Sequence, residues 1–204
     1  MSEWIKMFKG VISALRKIYT HRVALWKAGR KLGVTTSRLL RHDNSKFYPV
    51  EFFSYVARFE LGAWDETKWQ RAWKHHWQHN DHHIEYWQEK DLYFSWSHGG
   101  ATKKVYAEHP EIIGQPTKKE WPEVWMPDAA IREMIADWMA ASYAYSGEWP
   151  NAGSWDWGNK YLVKQLLKLE HHPQPEISSR GFAILLLRNN NLITDEQILE
   201  VNTI

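Results

Sequence analysis

The sequence contains no cysteine. A disulfide framework and a thiolate metal site are both excluded. There is no long hydrophobic run: no apolar stretch approaches the roughly 20 residues that a helical membrane span needs. The first residues, Met1-Ser2-Glu3-Trp4, lack the basic-then-apolar layout of a secretory signal, so a cytoplasmic location is expected. Charge of one sign is also missing. Lys and Arg number 26 against 24 Asp and Glu, a formal net charge of +2, too balanced for a dedicated nucleic-acid binder. Strand-like alternation, internal repeats and low-complexity tracts are absent as well.

What the chain has in abundance is tryptophan and histidine. Fourteen tryptophans in 204 residues point first to large aromatic side chains packed between helices, and some could lie at a homodimer interface. The hydrophobic fraction of 44 % is enough for a core, and the length suits a single domain. Apolar residues at spacings of three and four predict a helix from about 4 to 32, carried by Trp4, Ile5, Phe8, Val11, Ile12, Leu15, Ile18 and Tyr19 and stopped by Gly33. A short helix, Thr36 to Arg41, follows. Pro49 opens the next one. Asp65 caps a helix to about His79, and Asn80-Asp81 ends it. Another segment begins between His82 and Trp87. Residues 95–125 hold Gly99-Gly100, Pro110, Gly114, Pro116 and Pro122 and read as an irregular insertion, a candidate lid. Pro127 opens a helix to about Tyr145. Shorter C-terminal helices are expected over about 160–204: Tyr161 to Leu169, Ser178 to Leu187 and Asp195 to Val201. The expected fold class is all-α.

Seven of the eleven histidines lie at position 21 or between 42 and 83. The doublet His42-Asp43 puts an imidazole and a carboxylate on adjacent residues, a donor set suited to a divalent ion such as zinc, iron, manganese or cobalt. Asp137 has Met134 and Ala141 as its helical neighbours, so its face points inward. A carboxylate there is costly unless paired or metal-bound. His21 shares a face with Ile18, Ala24 and Leu25. His21, His42, Asp43 and Asp137 are therefore the candidate metal ligands, each from a different helix apart from the doublet. The run His75-His76-Trp77-Gln78-His79-Asn80-Asp81-His82-His83 offers further imidazoles. From the residues alone they could hold a second metal, contact a phosphate or be structural. His79 is expected at the surface, and Asn80 as a C-terminal cap.

The order His … His-Asp … Asp, with 21 residues from His21 to His42 and 94 from Asp43 to Asp137, resembles the HD-domain superfamily of metal-dependent phosphohydrolases. Lys46, three residues after the aspartate, also matches. The combination HDNSKF, HHxxxNxHHxxYW and EMxxDW is similar to an uncharacterised group of HD-like proteins common in phages and bacteria. The resemblance covers roughly residues 15 to 165. It implies one HD-like helical domain and hydrolysis of a phosphate ester, a nucleotide above all, by metal-activated water. It implies one or two divalent ions per chain (Mn, Co, Fe, Zn or Mg). His76 with His82 or His83 would serve a second metal. Lys46, with His76 or His83, would contact the phosphoryl group. Glu133, one turn before Asp137, reads either as a residue that orients a ligand or acts as base, or as a surface glutamate. Two alternatives stay open. One is an HD-like di-iron oxygenase, and the other a non-catalytic binding protein with a structural metal. The partner expected is a small phosphorylated substrate, with no membrane and no nucleic acid. A phage-encoded chain would act in the host cytoplasm.

Overall fold

The computed structural model describes residues 3–63, 65–88, 123–170 and 178–203. These are helices joined by turns: α1 (Glu3–Lys31), α2 (Thr36–Arg41), a 3₁₀ turn (Asn44–Phe47), α3 (Pro49–Tyr55) running into a π turn (Val56–Glu60), α4 (Glu66–His79), α5 (Asp128–Ser146), α6 (Asp156–Leu166), α7 (Ser179–Asn189) and α8 (Asp195–Thr203). Residues 84–88 are helical too. The fold is all-α. The extended pairing among the described residues is a single bridge between Val124 and Leu169. No described helix is long and apolar enough to cross a membrane. Most of the expected 95–125 insertion lies outside the described residues.

Helix ends follow local chemistry. Asp65 caps α4 by accepting from the Lys68 amide at 3.0 Å. Thr194 and Gln197 form a reciprocal capping box on α8, at 3.0 and 3.2 Å. Gly33 takes φ +75° after α1, a left-handed stop that only glycine adopts cheaply. Helix α6 starts at Asp156, five residues before the expected Tyr161. Gly158 lies within it, and the Trp155 ring packs where a Cβ would be, 2.5 Å away, so a side chain at this position would clash.

The buried cluster centres on α5, whose Ile131, Met134, Ile135, Ala136 and Ala140 are almost fully enclosed. The chief neighbour of α5 is α1, and α7 packs on it as well. Helix α1 meets the core through its small residues Gly10, Ala14, Ala24, Ala28 and Gly29, together with His21 and Leu25. This departs from the expectation of large aromatic side chains packed between helices. The large apolar stripe of α1 faces outward, with Trp4 84 %, Phe8 66 % and Tyr19 70 % exposed. Small residues win the inner face because they let two helix backbones approach closely. The tryptophans are redistributed in the same way. Among the described ones Trp155 alone is fully buried.

Candidate metal centre

Close packing sets up the doublet. At Gly29, a Cβ would run into the tip of the Leu39 side chain, so the glycine lets α2 sit close against α1. Arg22 on α1 then donates to carbonyls at the end of α2 and just past it, Leu40 O at 2.8 Å and His42 O at 2.7 Å. It satisfies groups that a helix C-terminus leaves unpaired. Asp43 adopts φ +53°, a left-handed conformation costly for a residue with a side chain and found where a fold requires a particular orientation. It reverses the chain into the 3₁₀ turn and leaves His42 and Asp43 both 2 % exposed.

Two donor sets meet at Asp43. In one set the His21 and His42 Nε2 atoms are 3.3 Å apart. Asp137 Oδ1 lies 3.1 Å from the first and 3.3 Å from the second. Asp43 Oδ2 is 3.3 Å from His42 Nε2 and 3.9 Å from that of His21. Ligands about 2.1 Å from a tetrahedral ion are separated by about 3.4 Å, so this spacing suits one ion. The other set is built on Asp43 Oδ1, 3.5 Å from His76 Nε2 and 3.4 Å from His82 Nε2. His83 Nε2 lies 3.0 Å from His76 Nε2. Within each set the donor atoms all fall within 4.8 Å of one another. Both Asp43 oxygens and His82 Nε2 are buried without a hydrogen-bond partner. Orphaned buried acceptors are expensive unless a cation meets them. Lys46 Nζ lies 2.5 Å from Asp43 Oδ2 as an ion pair, which covers one oxygen in part. The donor set therefore fits divalent ions, and Asp43 can serve both sets with one oxygen each.

Carboxylates stand behind the histidines. Glu133 is 3 % exposed, and its Oε1 accepts from His42 Nδ1 at 2.9 Å and lies 3.5 Å from His82 Nδ1. Glu51, fully buried, accepts from His76 Nδ1 at 2.9 Å, His75 Nδ1 at 2.6 Å and Ser45 Oγ at 3.1 Å. A carboxylate only accepts, so each Nδ1 bonded to one must carry the proton. That leaves Nε2 of His42 and His76 as the lone-pair side. His42, His82 and Glu133 could themselves be grouped around an ion, but the His42–Glu133 hydrogen bond already uses those atoms. Arg38 holds Glu133 through Nε at 2.5 Å and pairs with Asp81 on its other side. Asn80 donates to His76 O and to Ser45 Oγ, both at 2.7 Å, closing the end of α4.

Proton affinities follow this geometry. Burial and the neighbouring His42 and His83 push His82 well down, and burial beside His76 pulls His83 to about 4. Both are neutral imidazoles near pH 7, the form that binds metal. Burial also lowers His21. Burial works against protonated His42, but the carboxylates of Asp43, Asp137 and Glu133 outweigh it and raise its pKa. Burial would raise Asp43 and Asp137. The histidines, with Lys46 for Asp43, hold both well below the usual carboxylate range.

All the candidate ligands therefore converge on one place: His21, His42, Asp43 and Asp137 on one side of the shared carboxylate, His76, His82 and His83 on the other. Lys46 is beside them, and Glu133 sits behind the imidazoles. His79 is exposed and bonds back to His75 O at 2.7 Å. His98, His109, His171 and His172 lie outside the described residues. Sequence reasoning missed Glu51, Arg38 and Asp81. Glu51 had the look of an ordinary acid in a first helical turn. The available signal was its distance from His75 and His76, 24 and 25 residues, which two antiparallel helices can close.

The centre opens into a cavity of about 830 Å³. One wall carries Phe52, Tyr55, Phe59, Trp69 and Trp73; the other carries Trp138, Tyr145, Trp149, Trp155 and Trp157. The lysines that line it are Lys46 and Lys17, the latter paired with Glu60 at 2.8 Å.

A family of unknown function, DUF5662, matches residues 11–174, which include every residue of the centre. The chain belongs to this family. No curated protein and no solved structure matches it.

Proposed function

We propose that this DUF5662 member is a hydrolase of phosphate esters that uses two divalent ions, with a nucleotide as the leading substrate class. The observation that carries the reading is the buried Asp43 carboxylate, with one oxygen turned to each of two histidine-rich sets beside a cavity, Oδ1 without a hydrogen-bond partner and Oδ2 met by Lys46. His21, His42, Asp43 and Asp137 would hold one ion, and Asp43, His76, His82 and His83 the other. Ions held there would supply Lewis acidity and lower the pKa of a coordinated water to about 7. Glu133 and Glu51 fix the imidazole tautomers and so keep the donor atoms aimed inward. Lys46 brings the ammonium closest to the centre and would offset charge on phosphoryl oxygens. Burial outweighed by Asp43 raises its pKa, so it stays charged at any working pH. His83, with its pKa pulled to about 4, is unprotonated at neutral pH and acts as a donor of electrons, not as a general acid. The aromatic walls would take up a planar base by stacking.

The aromatic walls also favour a second reading, a di-iron oxygenase acting on an apolar substrate. One experiment separates the two. Nucleoside mono-, di- and triphosphates are incubated with manganese- or cobalt-loaded protein without oxygen, and released phosphate or pyrophosphate is measured. Turnover supports hydrolysis. No turnover with any metal, together with oxygen consumption by iron-loaded protein on an organic substrate, would overturn it.

A further inference from the structure

Helix α1 has two apolar faces. The inner one packs on the core. The outer one bears Ile5, Phe8, Ile12, Leu15 and Tyr19, spaced alternately by three and four residues, with Trp4, Val23 and Trp26 extending it. All eight side chains are exposed, by 39 % or more. From Trp4 to Trp26 the stripe runs about 33 Å. Among the described residues nothing covers this face, and it is too large and too aromatic to be scattered surface residues.

Charge indicates what covers it. Residues Glu3–Lys31 include eight Lys or Arg and one acid, Glu3, although the whole chain carries only +2. The rest of the chain is therefore net acidic, and the cationic surplus belongs to this helix. At 100° per residue, Lys9, Arg16 and Lys27 fall along one edge of the apolar stripe, and all three are exposed. A second copy of α1 offers a single acid, Glu3, against eight cations, so two such helices would repel. A bilayer containing anionic lipid offers both an apolar interior and negative headgroups. Exposed Trp4 and Tyr19 are residues that settle at that boundary.

We infer that the outer face of α1 docks the protein on an anionic membrane surface, with the helix lying in the interface and its lysines and arginines on the headgroups. This departs from the expectation of no membrane partner. That expectation rested on the lack of a spanning segment, and a helix lying on the surface needs none. Trp4, Ile5 and Phe8 precede residue 11, where the family match begins, and the rest of the stripe lies within it.

The test is co-sedimentation of the full chain with vesicles of phosphatidylcholine plus phosphatidylglycerol, against phosphatidylcholine alone. Binding to the mixed vesicles only, weakened by added salt, is expected. Trp4→Asp with Phe8→Asp, or Lys9→Glu with Arg16→Glu, should each lower partitioning roughly tenfold or more. Circular dichroism should be unchanged, because these side chains lie outside the core. No binding to mixed vesicles, or undiminished binding by the charge-reversed variant, overturns the inference. So does a dimer in analytical ultracentrifugation that Phe8→Asp dissociates in the absence of vesicle binding.

Discussion

Replacing Glu51 with glutamine changes one atom in a side chain that touches no candidate ligand except His76. In the folded chain Glu51 accepts from His76 at 2.9 Å, His75 at 2.6 Å and Ser45 at 3.1 Å. Glutamine keeps the shape but removes the charge and turns one acceptor into a donor that faces an imidazole N–H. Carboxylates behind metal-binding histidines are worth about 10- to 100-fold in metal affinity, or about 1.4–2.7 kcal/mol. Glu51 supports His76 and none of His21, His42 or Asp137, so the loss should fall on one of two binding steps. Titration of metal-free protein with Mn²⁺ or Zn²⁺ by calorimetry should show two steps in the parent. In Glu51→Gln one step should move by that factor while the other stays. Glu133→Gln is the contrast: Glu133 faces His42 in one set and His82 in the other, so both steps should weaken. If Glu51→Gln moved both steps equally, or neither, with helix content intact, the division into two sets would be wrong.

Three further outcomes are expected. Lys46→Ala should leave metal content unchanged and lower phosphate-ester turnover by about 10- to 100-fold, because the ammonium acts on substrate charge; metal analysis with steady-state kinetics checks this. Gly29→Ala should cost about 1–3 kcal/mol in a denaturant titration, since the new methyl runs into the buried Leu39 side chain, which must shift out of its packing. Stability of the metal-free protein should fall as pH drops from 6.5 towards 4. The folded pKa of His83 is about 4, that of His82 is lowered too, and the unfolded chain takes up these protons first. His42 acts in the opposite sense, its contribution being lost only as pH rises through its raised pKa. Thermal melts across that range, with chelator present, give the slope, and a melting temperature that rose on acidification would refute this.

Much of the helical frame was legible because caps and stops are local chemistry. Asp65, Gly33, Pro49 and the Thr194–Gln197 pair mark their helix ends through interactions within a few residues. The inner face of α1 was not legible in the same way. The conspicuous pattern was the large apolar stripe, whereas the core contact is made by Gly10, Ala14, Ala24 and Ala28, chosen for closeness rather than hydrophobicity. At the centre, His21, the doublet and Asp137 could be nominated because a buried charge needs a partner. Glu51 and Arg38 could not, since an acid and a base on helix surfaces look alike until the tertiary fold turns them inward. The left-handed turn at Asp43, which lets one carboxylate serve two sets, is a backbone fact with no sequence signature beyond an aspartate that tolerates it.

Anomalous scattering from crystals loaded with manganese or iron would show whether Asp43 joins two metal sites. Two peaks flanking the Asp43 carboxylate are expected, one among His21, His42 and Asp137 and the other among His76, His82 and His83, with both lost in Asp43→Ala. A single peak elsewhere in the molecule, or none at a concentration that saturates binding in solution, would contradict this.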